Sequence, residues 1–194
     1  AEVVYIKGTE IDSSAVRDAD ALVVRTRTRC CRELLEGSKV RFIATATIGR
    51  DHIDEDYCHE AGIEVASAAG CNARGVLQWV AAALKHIVES EGKHPEELTL
   101  GVVGVGNVGS LVVEYAHHWG IKVLMCDSPR HEREGGAFYP IEHIVREADI
   151  ITLHTPLDAS THHLINSKHL AVMKPNAVII NASRGAVVDN RAVW

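Results

Sequence analysis

Short apolar runs rich in Val and Ile recur at regular intervals through the first part of the chain. Four of these runs predict buried strands, at residues 3–6, 21–25, 40–45 and 63–67. The segments between them predict helices at residues 13–19, 31–37 and 54–61, with Ser13 and Asp54 as N-terminal caps and Gly37 and Gly62 as stops. Strands and helices that alternate at this spacing indicate a parallel sheet with helices packed against it.

A long amphipathic helix is predicted next, over residues 73–91, where Val76, Val80, Leu84 and Ile87 share one stripe. The polar stretch SEGKHPEE then resembles a linker, and the alternation starts again. The second series predicts strands at 98–103, 122–126, 150–154 and 177–181, and helices at 107–119, 141–147 and 167–173. We therefore expect an α/β protein with two parallel-sheet units. Their boundary lies within 72–96, and we take the units as 1–78 and 79–194.

Composition excludes several functional classes. The chain has 194 residues and a net charge of −6, whereas nucleic-acid-binding domains usually carry basic excess. Its apolar runs fall short of the ~20 residues that span a bilayer, and its first residues lack the pattern of a signal peptide. The five cysteines include no CxxC pair and the 12 histidines no HExxH. We therefore expect reduced thiols, a cytoplasmic protein and no metal site.

The stretch LTLGVVGVGNVGS carries the strongest chemical signal. Gly104, Gly106 and Gly109 form G-x-G-x-x-G between a predicted strand and a predicted helix. Such glycines allow a tight turn, close approach of a pyrophosphate, and close packing of helix on strand. Asp127 ends the next predicted strand, 23 residues after Gly104, where a carboxylate holds the adenine ribose in dinucleotide-binding domains.

These residues predict NAD, because Asp127 would repel the 2′-phosphate of NADP. Arg130 and Arg133 lie close enough in sequence to leave that preference open. The alternative is a nucleotide-free flavodoxin-like domain with a tight glycine turn, in which Asp127 only caps a loop.

A second candidate lies in NASRGAVVDN, where Arg184 follows a predicted strand and precedes Gly185. A guanidinium group cannot act as a general base, since it stays protonated in proteins. It can bind a carboxylate through two parallel hydrogen bonds and polarise a neighbouring oxygen. The alternative is an arginine that pairs with a surface carboxylate.

Six motifs together resemble one family. TATIGRDHID, AAGCNARGV, GVVGVGNVGS, CDSPR, LHTPLDAST and INASRGAVVDN occur in the order seen in the D-2-hydroxyacid dehydrogenases. This resemblance implies a flavodoxin-like substrate domain and a Rossmann NAD-binding domain, both incomplete here. Within the family, GCNA, GVGNVG, CDSPR and HTPL are most similar to the branch that oxidises 4-phosphoerythronate in pyridoxal phosphate biosynthesis.

The resemblance also implies roles for individual residues. Substrate contacts fall on Thr26 and Thr47, and the catalytic arginine falls on Arg184. The predicted cofactor contacts are Gly104, Gly106, Asn107, Val108, Gly109, Asp127, Thr155, Ser183, Arg184 and Gly185.

Several neighbours of these residues are left open by the sequence. Arg27 and Arg29 either bind a substrate phosphate or belong to an ordinary charged loop. Ile48 and Arg50 stand where that branch of the family usually has small or uncharged residues, so they either alter the pocket or point away.

The resemblance places the proton-accepting histidine, and the carboxylate that orients it, downstream of the Arg-Gly motif. His52 and His154 match neither position, and we interpret both as structural. We therefore expect a fragment of a longer chain, inactive by itself, whose full protein is a homodimer acting on a phosphorylated 2-hydroxy acid. Two alternatives remain: a dehydrogenase for another substrate such as 3-phosphoglycerate, and a non-catalytic dinucleotide-sensing protein on the same fold.

Overall fold

The computed structural model describes residues 2–47 and 49–193. Its internal contacts divide the chain into two compact units, Ala1–Cys71 and Asn72–Trp194. The division falls at Cys71 rather than at residue 78, because the whole of the long helix belongs to the second unit.

The first unit is a small parallel α/β layer. Its elements are α1 (Ser13–Val16), β1 (Ala21–Val24), α2 (Arg32–Leu35), β2 (Phe42–Thr45), α3 (Glu55–Glu60) and β3 (Glu64–Ser67). The strands pair in the order β1-β2-β3, all parallel. Its core consists of Val16, Val24, Cys30, Leu34, Leu35, Val40, Ile43, Ile53, Cys58 and Ile63.

Two details of the first unit correct the sequence predictions. Residues 3–6, predicted as a strand, run as irregular and exposed chain, with Tyr5 93% exposed. A β-branched run becomes a strand only when another backbone pairs with it, and the three described strands pair only among themselves. The cap of α1 is Asp12, whose carboxylate accepts from Ala15 N, rather than Ser13. Asp54 caps α3 as predicted.

The second unit contains a four-stranded parallel sheet. Its helices are α4 (Ala73–Glu91), α5 (Asn107–His118), α6 (Ser128–Glu134), α7 (Ile141–Glu147), α8 (Ser167–Leu170) and α9 (Asn190–Val193). Its strands are β4 (Thr99–Val103), β5 (Lys122–Cys126), β6 (Ile150–Leu153) and β7 (Val178–Asn181), in the order β5-β4-β6-β7. Phe138 extends the sheet beyond β5 through a single parallel bridge to Met125. The predicted α/β architecture with two parallel sheets is confirmed.

Helices cover both faces of this sheet. Because side chains along β4 point alternately to the two faces, apolar residues of this strand are buried on both of them. Leu100 and Val102 join the core under α4 and α5, whereas Val103 joins the core under α7. On the α7 face, a Cβ on Gly101 would collide with the side chain of Ile144. Gly101 therefore lets α7 approach β4 closely.

All five cysteines are free thiols. Burial raises the pKa of both Cys30 and Cys126 to about 11, whereas Cys71 is exposed. Among the described residues, no cluster of three or more His, Cys, Asp or Glu side chains could hold a metal ion. The helices of the described ranges include none long and apolar enough to cross a membrane.

Candidate nucleotide-binding site

The strand order of the second sheet reverses at β4. From β4 the chain moves outward to β5, then crosses back to place β6 on the other side of β4. In open parallel sheets, ligands bind at the carboxyl ends of the strands at such a reversal. Gly104 follows β4 and Thr155 follows β6 at this edge, so the predicted cofactor residues begin where the topology places a crevice.

The three glycines of the fingerprint meet three different constraints. Gly104 has φ +85°, and a Cβ there would lie 2.8 Å from the carbonyl carbon of His154 and 2.9 Å from Thr155 N. A Cβ on Gly109 would collide with the carbonyl oxygen of Gly104. A Cβ on Gly106 would meet none of the described atoms within 4 Å. Gly104 and Gly109 therefore permit close approaches of backbone segments within the turn. Gly106 instead leaves open space where a ligand can approach.

Helix α5 begins directly at this open space, with Gly106 as its N-cap. Asn107 and Val108, both predicted as cofactor contacts, form its first two positions. Over 12 residues the helix is long enough for its positive N-terminal end and unpaired N–H groups to favour an anion. This geometry suits a pyrophosphate.

The carboxylate of Asp127 connects the end of β5 to the glycine turn. Its Oδ2 accepts a hydrogen bond from Val105 N at 2.8 Å, and its Oδ1 accepts one from Arg130 N at 2.9 Å. Asp127 is thus the N-cap of α6, which resembles the loop-capping alternative from the sequence. A carboxylate has about four lone-pair sites, so two bonds leave it able to accept from ribose hydroxyls.

The side chain of Arg130 is held in place by three groups. It donates to both carboxylate oxygens of Glu134, from Nε at 2.9 Å and from Nη2 at 2.6 Å. Its Nη1 donates to the carbonyl oxygen of Val105 at 2.9 Å, and the guanidinium lies 5.1 Å from the ring centre of Phe138.

Sequence reasoning identified Arg130 but missed its partner Glu134, because it did not predict α6. The helix is polar and lacks an apolar stripe. Two signals could have found it: Asp127 followed by Pro129 is a typical helix start, and Arg130 and Glu134 stand at i,i+4 spacing.

Two unpartnered polar atoms lie beside the glycine turn. Within residues 2–47 and 49–193, the buried Thr155 Oγ1 and His154 Nδ1 have no hydrogen-bond partner. His154 is tied at its other ring nitrogen, where Nε2 lies 2.9 Å from Thr152 Oγ1. Burial lowers the pKa of His154 to about 4, so the ring is neutral at pH 7. Buried atoms of this kind commonly bind a ligand or water.

The turn that carries Arg184 is organised by Asn181, the last residue of β7. The Asn181 side chain donates to the carbonyl oxygen of Arg184 at 2.8 Å and accepts from the N–H and the hydroxyl of Ser183. Arg184 is half-buried and Gly185 is exposed. The arginine is thus held at the same sheet edge as the glycine turn, two strands away along the order β4-β6-β7.

The two predicted substrate residues lie at the carboxyl edge of the first sheet. Thr26 is exposed on the turn that follows β1. Thr47 follows β2, and its hydroxyl bonds Thr45 Oγ1 at 2.7 Å and the carbonyl of Gly49 at 3.1 Å. Thr45 Oγ1 in turn lies 3.1 Å from Nε2 of the buried His52. His52 thus contacts the Thr45–Thr47 pair through Thr45.

Ile48 and Arg50 are the two residues that depart from the resembled branch, and the structure describes only Arg50. Arg50 donates to Glu55 at 2.9 Å in an exposed ion pair. Ile48 lies outside the described residues.

A glycine turn opening onto a helix, an acid at the end of the next strand and an orphaned hydroxyl beside the turn define a dinucleotide-binding protein of the Rossmann type. Comparison with known proteins shows the family to which it belongs. The profile of the D-isomer specific 2-hydroxyacid dehydrogenase family, NAD binding domain, matches residues 72–194. The chain belongs to this family, and its second unit is the NAD-binding domain.

Two similar curated proteins have the same name. The chain is 52% identical over 97% of its length to erythronate-4-phosphate dehydrogenase from Ectopseudomonas mendocina, covering 50% of that protein. It is 48% identical to the protein of that name from Bacteroides thetaiotaomicron, over 99% of this chain and 57% of that protein. The chain thus spans about half the length of these curated relatives.

Solved structures support the fold and the cofactor. D-lactate dehydrogenase from Aquifex aeolicus, complexed with NAD and lactic acid, matches 95% of this chain and 62% of its own with a TM-score of 0.82 and 29% identity. NAD-bound 3-phosphoglycerate dehydrogenase from Entamoeba histolytica matches 97% of this chain and 63% of its own with a TM-score of 0.83 and 28% identity.

Proposed function

We propose that the protein containing this chain oxidises 4-phosphoerythronate to its 2-oxo acid with NAD, as a step in pyridoxal phosphate biosynthesis. The observation that carries the proposal is the identity of about half of all residues, across both units, with proteins named erythronate-4-phosphate dehydrogenase. The geometry of the second unit supports the dehydrogenase chemistry, because Gly104, Asp127, Thr155 and Arg184 all follow strands at one sheet edge.

In this proposal the cofactor lies along that edge. The open space at Gly106 and the amides of Asn107 and Val108 hold the pyrophosphate, and Asp127 accepts from the adenine ribose. Thr155 Oγ1 and the turn formed by Ser183 and Gly185 contact the remainder of the dinucleotide. When bound, NAD supplies the acceptor for the hydride from C2 of the substrate.

Arg184 acts on the substrate. Its guanidinium binds the α-carboxylate through two hydrogen bonds and stabilises the negative charge that builds on the neighbouring oxygen. Asn181 and Ser183 fix the backbone on either side, so the guanidinium starts from a defined position. In this way Arg184 both orients C2 and lowers the barrier for the chemical step.

Thr26 and Thr47, in the first unit, are the residues that the family resemblance assigns to substrate contacts. The hydroxyl of Thr26 is exposed and available to a phosphate or hydroxyl group. Thr47 Oγ1 is positioned by Thr45 and can contact the substrate without losing its fixed orientation. Arg27 and Arg29, exposed on the same loop, are candidates for the phosphate.

The proton of the C2 hydroxyl must pass to a base. His154 is a poor base because burial lowers its pKa to about 4. His52 is buried against Thr45. In this proposal the acceptor is the histidine that the family resemblance places after the Arg-Gly motif, outside these 194 residues.

The test is an NADH-formation assay at 340 nm on the full-length gene product, with 4-phosphoerythronate and 3-phosphoglycerate compared side by side. We expect kcat/KM to be at least about 100-fold higher for 4-phosphoerythronate, a difference of about 3 kcal/mol in transition-state binding. Faster turnover of 3-phosphoglycerate would overturn the substrate assignment. NAD binding without turnover of any 2-hydroxy acid would favour a sensing role instead.

Arg184→Lys tests the catalytic role in the same assay. The lysine keeps the charge but loses the two-pronged geometry, so we expect kcat/KM to fall by about 100-fold or more, a much larger factor than any rise in the Kd for NAD. Arg191→Lys, an exposed arginine on α9, is the matched control. A variant at Arg184 with nearly normal turnover would contradict the role.

We also propose that the protein is a cytoplasmic homodimer. The five free thiols support a reducing compartment. The dimer rests on the family resemblance alone, and light scattering after size-exclusion chromatography tests it.

A further inference from the structure

We propose that Glu134 determines the selectivity of the cofactor site for NAD over NADP, by holding Arg130 on the carbonyl oxygen of Val105. The inference depends on the NAD-binding unit and on the proposed ribose contact of Asp127. It does not depend on which hydroxy acid the protein oxidises.

Arg130 is placed where a 2′-phosphate would be recognised. The N–H of Val105 donates to Asp127, and the carbonyl of the same residue accepts from Arg130. The guanidinium therefore lies at the glycine turn next to the carboxylate that would face the ribose. NADP differs from NAD by a phosphate at this ribose, and a guanidinium group is the side chain best suited to grip it.

Glu134 occupies the guanidinium group instead. It accepts from Nε at 2.9 Å and from Nη2 at 2.6 Å, which is the two-pronged arrangement that a phosphate would need. The Arg130 side chain is 31% exposed and that of Glu134 is 45% exposed, so the pair contributes little to stability. In this proposal the pair acts on selectivity by neutralising the guanidinium and by occupying the two donors that a 2′-phosphate would need.

The ring of Phe138 restricts Arg130 further. The guanidinium lies 5.1 Å from the ring centre, and Phe138 is itself fixed by its bridge to Met125. The hydrogen bond to Val105 then keeps the arginine on the turn. Releasing Arg130 toward a phosphate would require the bonds to Glu134 to break.

Glu134→Gln tests this directly. The change removes the negative charge and one strong acceptor while preserving size. Dissociation constants for NADP and NAD are measured by titration calorimetry on the full-length gene product, without substrate. We expect the Kd for NADP to fall by roughly threefold to tenfold and the Kd for NAD to change by less than about twofold.

Two further variants locate the effect. Glu132→Gln removes the same charge from an exposed position of the same helix and controls for general electrostatics. Arg130→Gln combined with Glu134→Gln removes the cation that the single variant would release. We expect Glu132→Gln to increase the affinity for NADP clearly less than Glu134→Gln does. In the double variant the increase should be lost.

An unchanged ratio of the two dissociation constants in Glu134→Gln would overturn the proposal, as would an equal gain in Glu132→Gln or a gain that survives in the double variant. A selectivity shift in a protein that leaves 4-phosphoerythronate unchanged would support Glu134 while rejecting the proposed substrate. A wild-type protein that fails to bind NAD would overturn both.

Discussion

The carboxylate of Asp127 accepts a hydrogen bond from the backbone N–H of Val105, across 22 positions of sequence and at 2.8 Å. This bond joins the end of β5 to the middle of the glycine turn at the end of β4. The acid that would recognise the ribose therefore also holds the turn that would recognise the pyrophosphate. One side chain thus links the proposed ribose contact to the proposed pyrophosphate contact.

Asp127→Ala should weaken both stability and cofactor binding. The change removes the cap of α6 and leaves Val105 N without its acceptor, so we expect a loss of about 1–2 kcal/mol in the free energy of unfolding. The Kd for NAD should rise by about tenfold or more. Urea denaturation and calorimetric titration measure the two effects. Asp158→Ala, an exposed acid that also caps a turn, should lower stability and leave the Kd unchanged.

The glycine turn allows a matched pair of variants. Gly104→Ala places a Cβ against the backbone of His154 and Thr155 at a positive φ, so we expect a loss of about 2 kcal/mol or more in stability. Gly106→Ala meets open space at φ −85°, so its stability should stay within about 0.5 kcal/mol while NAD affinity falls. Thermal denaturation with and without NAD distinguishes the two. Equal destabilisation by both variants would contradict the different roles of these glycines.

His154 should make the protein less stable in mild acid. Burial lowers its pKa from 6.5 to about 4, so below pH 6.5 the unfolded chain binds a proton that the folded protein does not. The free energy of unfolding should therefore fall as pH drops from 6.5 toward 4, by roughly 1–3 kcal/mol from this residue.

His154→Gln should flatten that part of the pH profile, since glutamine does not titrate. The exposed His117→Gln is the control and should leave the slope as it is. Urea midpoints at a series of pH values provide the measurement, and an unchanged slope in His154→Gln would exclude this residue as the cause.

At the opposite edge of the second sheet, Asp149 should stabilise the protein at neutral pH. Its carboxylate accepts from Thr99 N at 2.9 Å and from Lys174 Nζ at 2.8 Å. Burial raises the pKa of Asp149, but the hydrogen bonds from Lys174 and Thr99 outweigh it and hold the pKa below 3.8. The stabilisation is therefore full above pH 3.8 and is lost as the pH falls through the lowered value.

Asp149→Asn should unfold more easily by about 1–2 kcal/mol at pH 7, and the difference should shrink below pH 3.8. The exposed Glu147→Gln serves as the control. Denaturation of the wild-type protein and of both variants, at pH 7 and below pH 3.8, measures the difference. A difference that grows in acid would mean that the carboxylate destabilises the fold.

The sequence predicted well those elements whose apolar period is set by the core. The long helix Ala73–Glu91, the strand Lys122–Cys126 and the helix Ile141–Glu147 have the bounds that the pattern indicated. Because buried apolar positions impose the period of a helix or a strand, the hydrophobic pattern by itself indicates where these elements begin and end.

Elements held by polar contacts or by distant partners were harder to predict. The helix Ser128–Glu134 buries none of its side chains and is stabilised by its cap and the Arg130–Glu134 pair. Residues 3–6 have strand composition, but composition does not specify a partner.

The same distinction between local pattern and distant contacts applies to the residues of the candidate site. Gly104, Gly106 and Asp127 follow from motif spacing, whereas the bonds from Asp127 and Arg130 to Val105 depend on folding across more than 20 residues. No local pattern encodes that contact. The roles of Thr26 and Thr47 rest on resemblance, and they remain predictions.

The unequal exposure of the cysteines offers a way to label the molecule at one position. Cys71, at the last position of the first unit, is exposed, whereas Cys31 is half-buried and the other three thiols are buried, so a thiol-reactive dye should attach fastest at Cys71. The native chain thus provides its own attachment point for a fluorophore or spin label where one unit gives way to the next. Spectroscopy from that position could follow cofactor and substrate binding without any engineered cysteine.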